Sequence, residues 1–226
     1  PLERRGFDGN LWIWELPDYS KNYIVTADVA RGDGSDYSGF HIIEAESCTQ
    51  VAEYRGQLGT KEFGNMLVAI ATEYNDALLV VENANIGWAT LQQIIERGYK
   101  NLYYTYKSDI LDSDRFLIKG YDLANKSDMV AGFTMSHKTR PLIISKLELF
   151  VRERDCIIRS RRLLEELRVF IWRNGKAEAQ SGYHDDLVMS FSQGLWVRDT
   201  ALRLRTAGIE INRAALGNIS STVAVS

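Results

Sequence analysis

Ala77-Leu78-Leu79-Val80-Val81 is an unbroken apolar run, too short for a helix and ended by Glu82-Asn83-Ala84-Asn85. Such a run fits a strand buried on both faces, which needs layers above and below it and therefore an α/β sheet. The preceding residues read as an antiparallel meander. Tyr23 to Val29 is rich in β-formers and stops at the turn-forming Arg31-Gly32-Asp33-Gly34; residues 38–44 and 50–56 follow as two more strands. Thr60 is the expected cap of a helix with Phe63, Met66, Leu67, Ile70 and Ala71 on one face, running to Asn75. Trp88 to Arg97 predicts a second helix stopped by Gly98, and Leu102 to Tyr106 a further strand.

Asp109 to Ser136 is polar and without period, which predicts a long connection of the kind usually kept for function. Ser136 or Thr139 then caps a helix with Pro141 in its first turn, lined by Ile143, Leu147 and Phe150 and ending near Glu153. A short strand over Cys156 to Arg159, a helix from Ser160 to Phe170, and a last helix opened by Gly182-Tyr183-His184-Asp185-Asp186 complete the pattern. The expected fold is α/β, a mixed β-sheet flanked by helices on both faces. Ribonuclease-H-like folds have this order of elements, as do the halves of actin-like ATPases. The expected organisation is an N-terminal lead-in over 1–20, a domain over 21–200 and a tail over 201–226.

No apolar run is long enough to span a bilayer, and no signal-peptide pattern is present at the N-terminus. Cys48 and Cys156 are the two cysteines, too far apart for a chelating pair, so a reducing cytoplasmic setting is expected. Pro1 in place of Met is expected of a portion of a larger protein. The formal net charge is -3, yet residues 138–176 hold eleven Lys/Arg against five Asp/Glu. A basic flank beside an acidic pocket suits a polyanion that meets metal-loaded carboxylates, although a solvated helix surface has the same composition.

The acids are Asp28, Glu82 and the Asp185-Asp186 pair. Two-residue alternation puts Asp28 on the face of Ile24 and Thr26, at the end of its strand. Glu82 follows the buried run directly, where an uncompensated charge is costly and a cation would offset it. Asp185 and Asp186 are expected in the first turn of a helix, whose dipole favours anions. Singly, each has an ordinary explanation as a turn or capping acid. Together they suit hard cations such as Mg²⁺ or Mn²⁺, two of which can activate a water and stabilise a leaving oxygen at phosphorus. His184 adjoins the pair, and a structural role is the simpler reading for it.

Three stretches resemble the nuclease domain of tailed-phage terminase large subunits, the DNA-packaging motors. They are Tyr23-Ile24-Val25-Thr26-Ala27-Asp28-Val29-Ala30-Arg31-Gly32 with Asp36-Tyr37-Ser38; Leu79-Val80-Val81-Glu82-Asn83; and Gly182-Tyr183-His184-Asp185-Asp186-Leu187-Val188-Met189-Ser190. Trp12-Ile13-Trp14-Glu15-Leu16-Pro17 resembles the start of the same domain, and the likeness spans roughly residues 10–198. The resemblance implies a ribonuclease-H-like nuclease with metal ligands Asp28, Glu82 and Asp186, and Asp185 as a supporting acid. It implies cleavage of concatemeric viral double-stranded DNA during packaging, largely without sequence preference, with two Mg²⁺ or Mn²⁺ ions. The implied partners are an N-terminal ATPase domain of the same protein, the portal and the small terminase subunit, and the setting is the host cytoplasm. Some relatives carry an acid three positions after the first Asp, where Arg31 stands here. Gly56-Gln57-Leu58-Gly59-Thr60-Lys61 resembles a phosphate loop in composition only, so ATP hydrolysis is expected elsewhere.

Lys138, Arg140 and Lys146 are the expected DNA contacts, followed by Arg159, Arg161 and Arg162, with the loop around Gly132 as a flexible clamp. Three other readings remain open: an actin-like phosphotransferase, for which no duplicated half is visible; a junction resolvase or integrase core; and a non-catalytic DNA-binding module.

Overall fold

In the computed structural model, residues 1–31, 37–106, 129–173 and 175–199 are described. The turn at 32–36, most of the predicted 109–136 connection and the 201–226 tail lie outside these residues. The main sheet has six strands: β1 (Glu3–Arg5), β2 (Leu11–Ile13), β3 (Tyr23–Asp28), β4 (Ser38–Glu44), β5 (Thr49–Gly56) and β6 (Leu78–Val81), in the order β1-β2-β5-β4-β3-β6. The meander β3-β4-β5 is antiparallel, and β6 lies parallel to β3 with Thr26 opposite Val80 and Ala27 opposite Val81. The sheet is therefore mixed, as expected. Strands β1 and β2 were not foreseen. They extend the sheet beyond β5 and bring residues 3–13 into it.

Alternation divides the sheet into two faces. Val25, Ala27, Phe40, Ile42 and Leu79 pack with Phe63, Leu67 and Ala71 of α1 (Thr60–Glu73) and with Leu91 and Ile94 of α2 (Gly87–Glu96). On the opposite face, Ile24 and Val80 share a cluster with Ile143 of α3 (Thr139–Glu153), and Ile43 shares one with Leu163 of α4 (Arg161–Val169). That second cluster includes Phe191 and Leu195 of a further helix, α5, over residues 186–199. Helices thus cover both faces, the arrangement of a ribonuclease-H-like fold. Among the described residues, no helix is long and apolar enough to cross a membrane.

Several local expectations change. Helix α1 begins at Thr60, with Gly59 in the capping position and no side-chain cap. Helix α3 has Lys138 in the capping position without a side-chain cap; just upstream, the Ser136 hydroxyl accepts from the Thr139 amide at 3.1 Å and the Thr139 hydroxyl accepts from the Ser136 amide at 2.8 Å. Residues 156–159 do not form a strand. Ile157 makes a single parallel bridge to Thr49, and the next amides, Arg159 and Ser160, donate to the Gln50 side chain instead of a strand partner. The end of the predicted long connection is ordered into β8 (Met129–Ala131), which pairs with β7 (Tyr104–Tyr106), and Phe133 is buried in the core. A hairpin of β9 (Phe170–Arg173) and β10 (Lys176–Ala179) was also unforeseen.

Candidate active site

The strands end where the acids begin. The Glu82 amide donates to the Ala27 carbonyl at 3.1 Å, continuing the β3-β6 ladder and setting Glu82 beside Asp28 on the face covered by α5. The Glu82 turn is held from its other side by residues 131–134. Phe133 N donates to Val81 O at 2.8 Å, Asn83 N donates to Phe133 O at 3.0 Å, and the Asn83 side chain donates to Ala131 O and Thr134 Oγ1. Gly132, expected in a flexible clamp, is built into this tie: its φ is +83°, and an added Cβ would lie 2.5 Å from Val81 O.

Asp185 and Asp186 come from the opposite layer. Met189 N donates to Asp185 O at 2.8 Å, so Asp185 is the capping residue of α5 and Asp186 its first helical residue, one step later than the pair was expected. Helix α5 sits close to the sheet because Gly194 faces Thr26, where a Cβ would come within 2.7 Å of Thr26 Cγ2. Thr26 Oγ1 donates to Ser190 O at 2.7 Å across the same contact. Asp28 and Glu82 thus come from strand ends of the sheet, and Asp185 and Asp186 from the start of the helix laid against it, near enough for the other three to act on the Asp28 carboxyl.

Their electrostatics reflect this. Burial pushes the Asp28 carboxyl well above its usual range, and Glu82, Asp186 and Asp185 push it further, against a hydrogen bond from the Val29 amide. Asp28 nonetheless keeps some exposure. Burial also raises Glu82, with Arg140 opposing and Asp185 adding to the rise. Among the described residues, no three His, Cys, Asp or Glu side chains are gathered tightly enough to hold one ion as placed. Arg140 engages one of the acids: its Nη2 donates to Asp185 Oδ2 at 2.9 Å and to Ala177 O at 3.2 Å. The donor set is entirely carboxylate oxygen and like charges face one space, so the residues fit a hard divalent cation better than any soft one.

Glu82 and Asp185 line an open cleft with Ser136, His137 and Arg140 at the start of α3, Lys176 and Glu178 of β10, and Tyr183. His184 Nδ1 is 3.8 Å from Asp186 Oδ2, and its ring meets Tyr37 edge-on. The expected DNA contacts are dispersed. Lys138 is exposed, next in sequence to the cleft-lining His137, and Arg140 lines the cleft with its guanidinium on Asp185. Lys146 pairs with Asp199 and lies over the Phe150 ring. Arg159 pairs with Glu15, Arg162 with Glu53 while stacking on Trp12, and Arg161 is exposed, as is Arg31. Two charged residues near the acids had escaped notice. Glu166 is buried on α4, and Arg55 lies over the Tyr37 ring with Nε 3.9 Å from Glu166 Oε1. The helical spacing of Leu163, Glu166 and Leu167 had put an acid on the apolar stripe, the one legible signal for Glu166.

No family model matches the chain. Solved structures do resemble it. The large terminase nuclease from thermophilic phage G20c with bound magnesium superposes with a TM-score of 0.63 at 19% identity, over 85% of this chain and 88% of that one. The cobalt-bound form of the same nuclease gives 0.63, with the same identity and coverage. The large terminase nuclease domain of Thermus phage P74-26 gives 0.61 at 19% identity, over 85% and 86% of the two chains. Six strands in this order, helices on both faces and this likeness give one conclusion: the chain has the ribonuclease-H-like fold of phage large terminase nuclease domains.

Proposed function

We propose that this chain is a divalent-metal-dependent DNA endonuclease, the cutting domain of a viral packaging motor. The observation that carries the reading is the approach of Asp28 to Glu82, Asp185 and Asp186 from two layers of the fold, with Glu82 and Asp185 lining one open cleft; burial first, and then those three acids, raise the Asp28 carboxyl. Asp28, Glu82 and Asp186 are the proposed ligands, with Asp185 in support. Two ions, Mg²⁺ or Mn²⁺, supply an activated water and charge stabilisation at the departing oxygen when bound. The carboxylates hold that charge in place and repel phosphate that arrives without it. His184, close to Asp186, is placed to orient solvent there. Arg140 is the cation available to a phosphate once Asp185 turns to another partner.

In this proposal the substrate is concatemeric viral double-stranded DNA, cut largely without sequence preference, because phosphate contacts position a duplex but do not specify its bases. The proposed nuclease domain spans residues 21–200, with residues 1–20 leading into it and adding β1 and β2 to its sheet, and with 201–226 proposed as a tail. The N-terminal ATPase domain, the portal and the small terminase subunit are the proposed partners, and the host cytoplasm is the proposed setting. The G20c nuclease binds magnesium and cobalt by its description, and an all-oxygen donor set supports the same class of ion here.

The test is nicking of supercoiled plasmid. Cutting is expected with Mg²⁺ or Mn²⁺ and none in chelator; equal cutting in both, or none in either, refutes the proposal. A preference for branched over linear duplex would favour the resolvase reading instead.

Two lysines of the basic flank, Lys138 and Lys146, separate cleanly. Exposed Lys138→Ala is expected to weaken DNA binding and to reduce the slope of log K against log salt by about 1. Lys146→Ala, which loses its Asp199 partner, is expected to leave that slope unchanged. Salt titrations by fluorescence anisotropy distinguish the two, and an unchanged slope for Lys138→Ala removes it from the interface.

A further inference from the structure

Every α-helix presents amides at its first turn that lack partners within the helix, and an Asp in the capping position normally accepts from them. Helix α5 has such an Asp but does not use it so. The Asp185 carboxylate is held by Arg140. The amides of Leu187 and Val188 donate instead to Glu166 Oε2, at 2.9 Å and 3.2 Å, from a residue of α4. Glu166 is 6% exposed, and its second oxygen faces Arg55. The Leu187 carbonyl is fixed as well, by His41 Nε2 at 2.9 Å. Gln50 Nε2 lies 2.8 Å from His41 Nδ1 and can only donate there, which makes Nε2 the protonated nitrogen that donates to Leu187. Burial holds the His41 imidazole below its usual range, against Glu53 and the Leu187 carbonyl. The residue that follows the acid pair is thus pinned at both backbone groups by side chains from two other elements.

We infer that Glu166 is a positioning residue for the acidic site: by capping α5 in place of Asp185, it leaves the Asp185 carboxylate at the cleft that Glu82 also lines, where Arg140 holds it. Without it, the nearest acceptor for the open amides is Asp185 itself, which would turn back onto its own helix and away from Glu82. This inference rests on the metal-nuclease reading and adds a residue that the acids alone do not reveal.

The experiment is Mn²⁺ binding by calorimetry, paired with amide hydrogen exchange at Leu187 and Val188. Glu166→Ala is expected to weaken Mn²⁺ binding by about 10–100-fold, the usual range for a residue that orients ligands. It should also expose both amides to faster exchange. Glu166→Gln keeps an acceptor oxygen in place and is expected to restore both. Glu166→Ala combined with Asp185→Asn should bind no worse than Asp185→Asn alone, because both act through the same carboxylate. If Glu166→Ala does not fold, Glu166→Asp, one methylene too short to reach, is compared with Glu166→Gln in the same way. Unchanged Mn²⁺ affinity in folded Glu166→Ala or Glu166→Asp, with wild type binding normally, overturns the positioning role alone. Equal damage from Glu166→Gln and Glu166→Ala overturns it too. Failure of wild type to bind Mn²⁺ overturns the metal-site reading, and this inference with it.

Discussion

Asp28→Asn is expected to lower metal-dependent nicking by about a thousandfold, since a metal-held charge is worth several kcal/mol at the transition state and each 1.4 kcal/mol is about tenfold in rate. The same substitution is expected to stabilise the metal-free protein. The Asp28 carboxyl is raised above its usual range by burial and by Glu82, Asp186 and Asp185. A carboxyl raised on folding contributes stability below its unfolded pKa and loses it as pH rises through the folded value. Wild type in chelator therefore carries a penalty at high pH that Asn does not, and the gap closes as the solution is acidified. Each 1 kcal/mol recovered moves Tm by roughly 2–4 °C for a domain of this size. Paired melts and plasmid assays across pH check both halves. Wild-type cutting by Asp28→Asn eliminates the proposed site, and a lower Tm at high pH in chelator eliminates the repulsion argument.

Gly87→Ala is expected to be the most damaging change outside the carboxylates. Gly87 opens α2 at the far side of the Glu82 turn, and a Cβ there would lie 2.0 Å from the Glu82 carbonyl oxygen. The atom in the way is backbone, already tied through the amides of Glu82 and Asn83 to Ala27 and Phe133. Relief requires moving either the start of α2 or Glu82. Overpacking of this kind costs about 1–3 kcal/mol, which corresponds to roughly 5 °C in Tm, and any shift of Glu82 reduces cutting as well. A Gly87→Ala protein that melts and cuts as wild type would mean that the turn is not the rigid support described.

How far the sequence could be read follows from where each element finds its partners. β3, β4, β5 and β6 were legible because each carries its own alternating or continuous apolar pattern, and the mixed sheet with helices on both faces followed from their order. β1 and β2 were not legible: each is three residues long, and what makes them strands is pairing that ends on β5, far along the chain. The β9-β10 hairpin has a local signal in the sequence, since Asn-Gly, as at 174–175, is a common two-residue hairpin dipeptide. Cys156 to Arg159 looked like a strand by composition, but the Gln50 side chain takes the amides a ladder would need. At the candidate site, Asp28 and Glu82 could be anticipated as neighbours from strand ends. The ion pairs that divide the basic flank, Arg140 with Asp185 and Lys146 with Asp199, are long-range choices that charge counting cannot make. Glu166 and His41 act on α5 from 21 and 146 residues away, which no local pattern encodes.

The two layers that meet at the cleft also differ in when they exist. During synthesis, the strands that carry Asp28 and Glu82 leave the ribosome well before residues 185 and 186, and Gly194, which seats α5 on Thr26, comes later still. At about 5–20 residues per second, the interval between the last strand acid and the helix is on the order of five to twenty seconds. Throughout it, the nascent chain holds only half of its carboxylates and lacks the helix that aims the rest. A chain truncated or stalled before α5 thus lacks Asp185 and Asp186, so under the proposed function a cell translating this message meets all four acids together only on chains that have been read almost to the end of the domain.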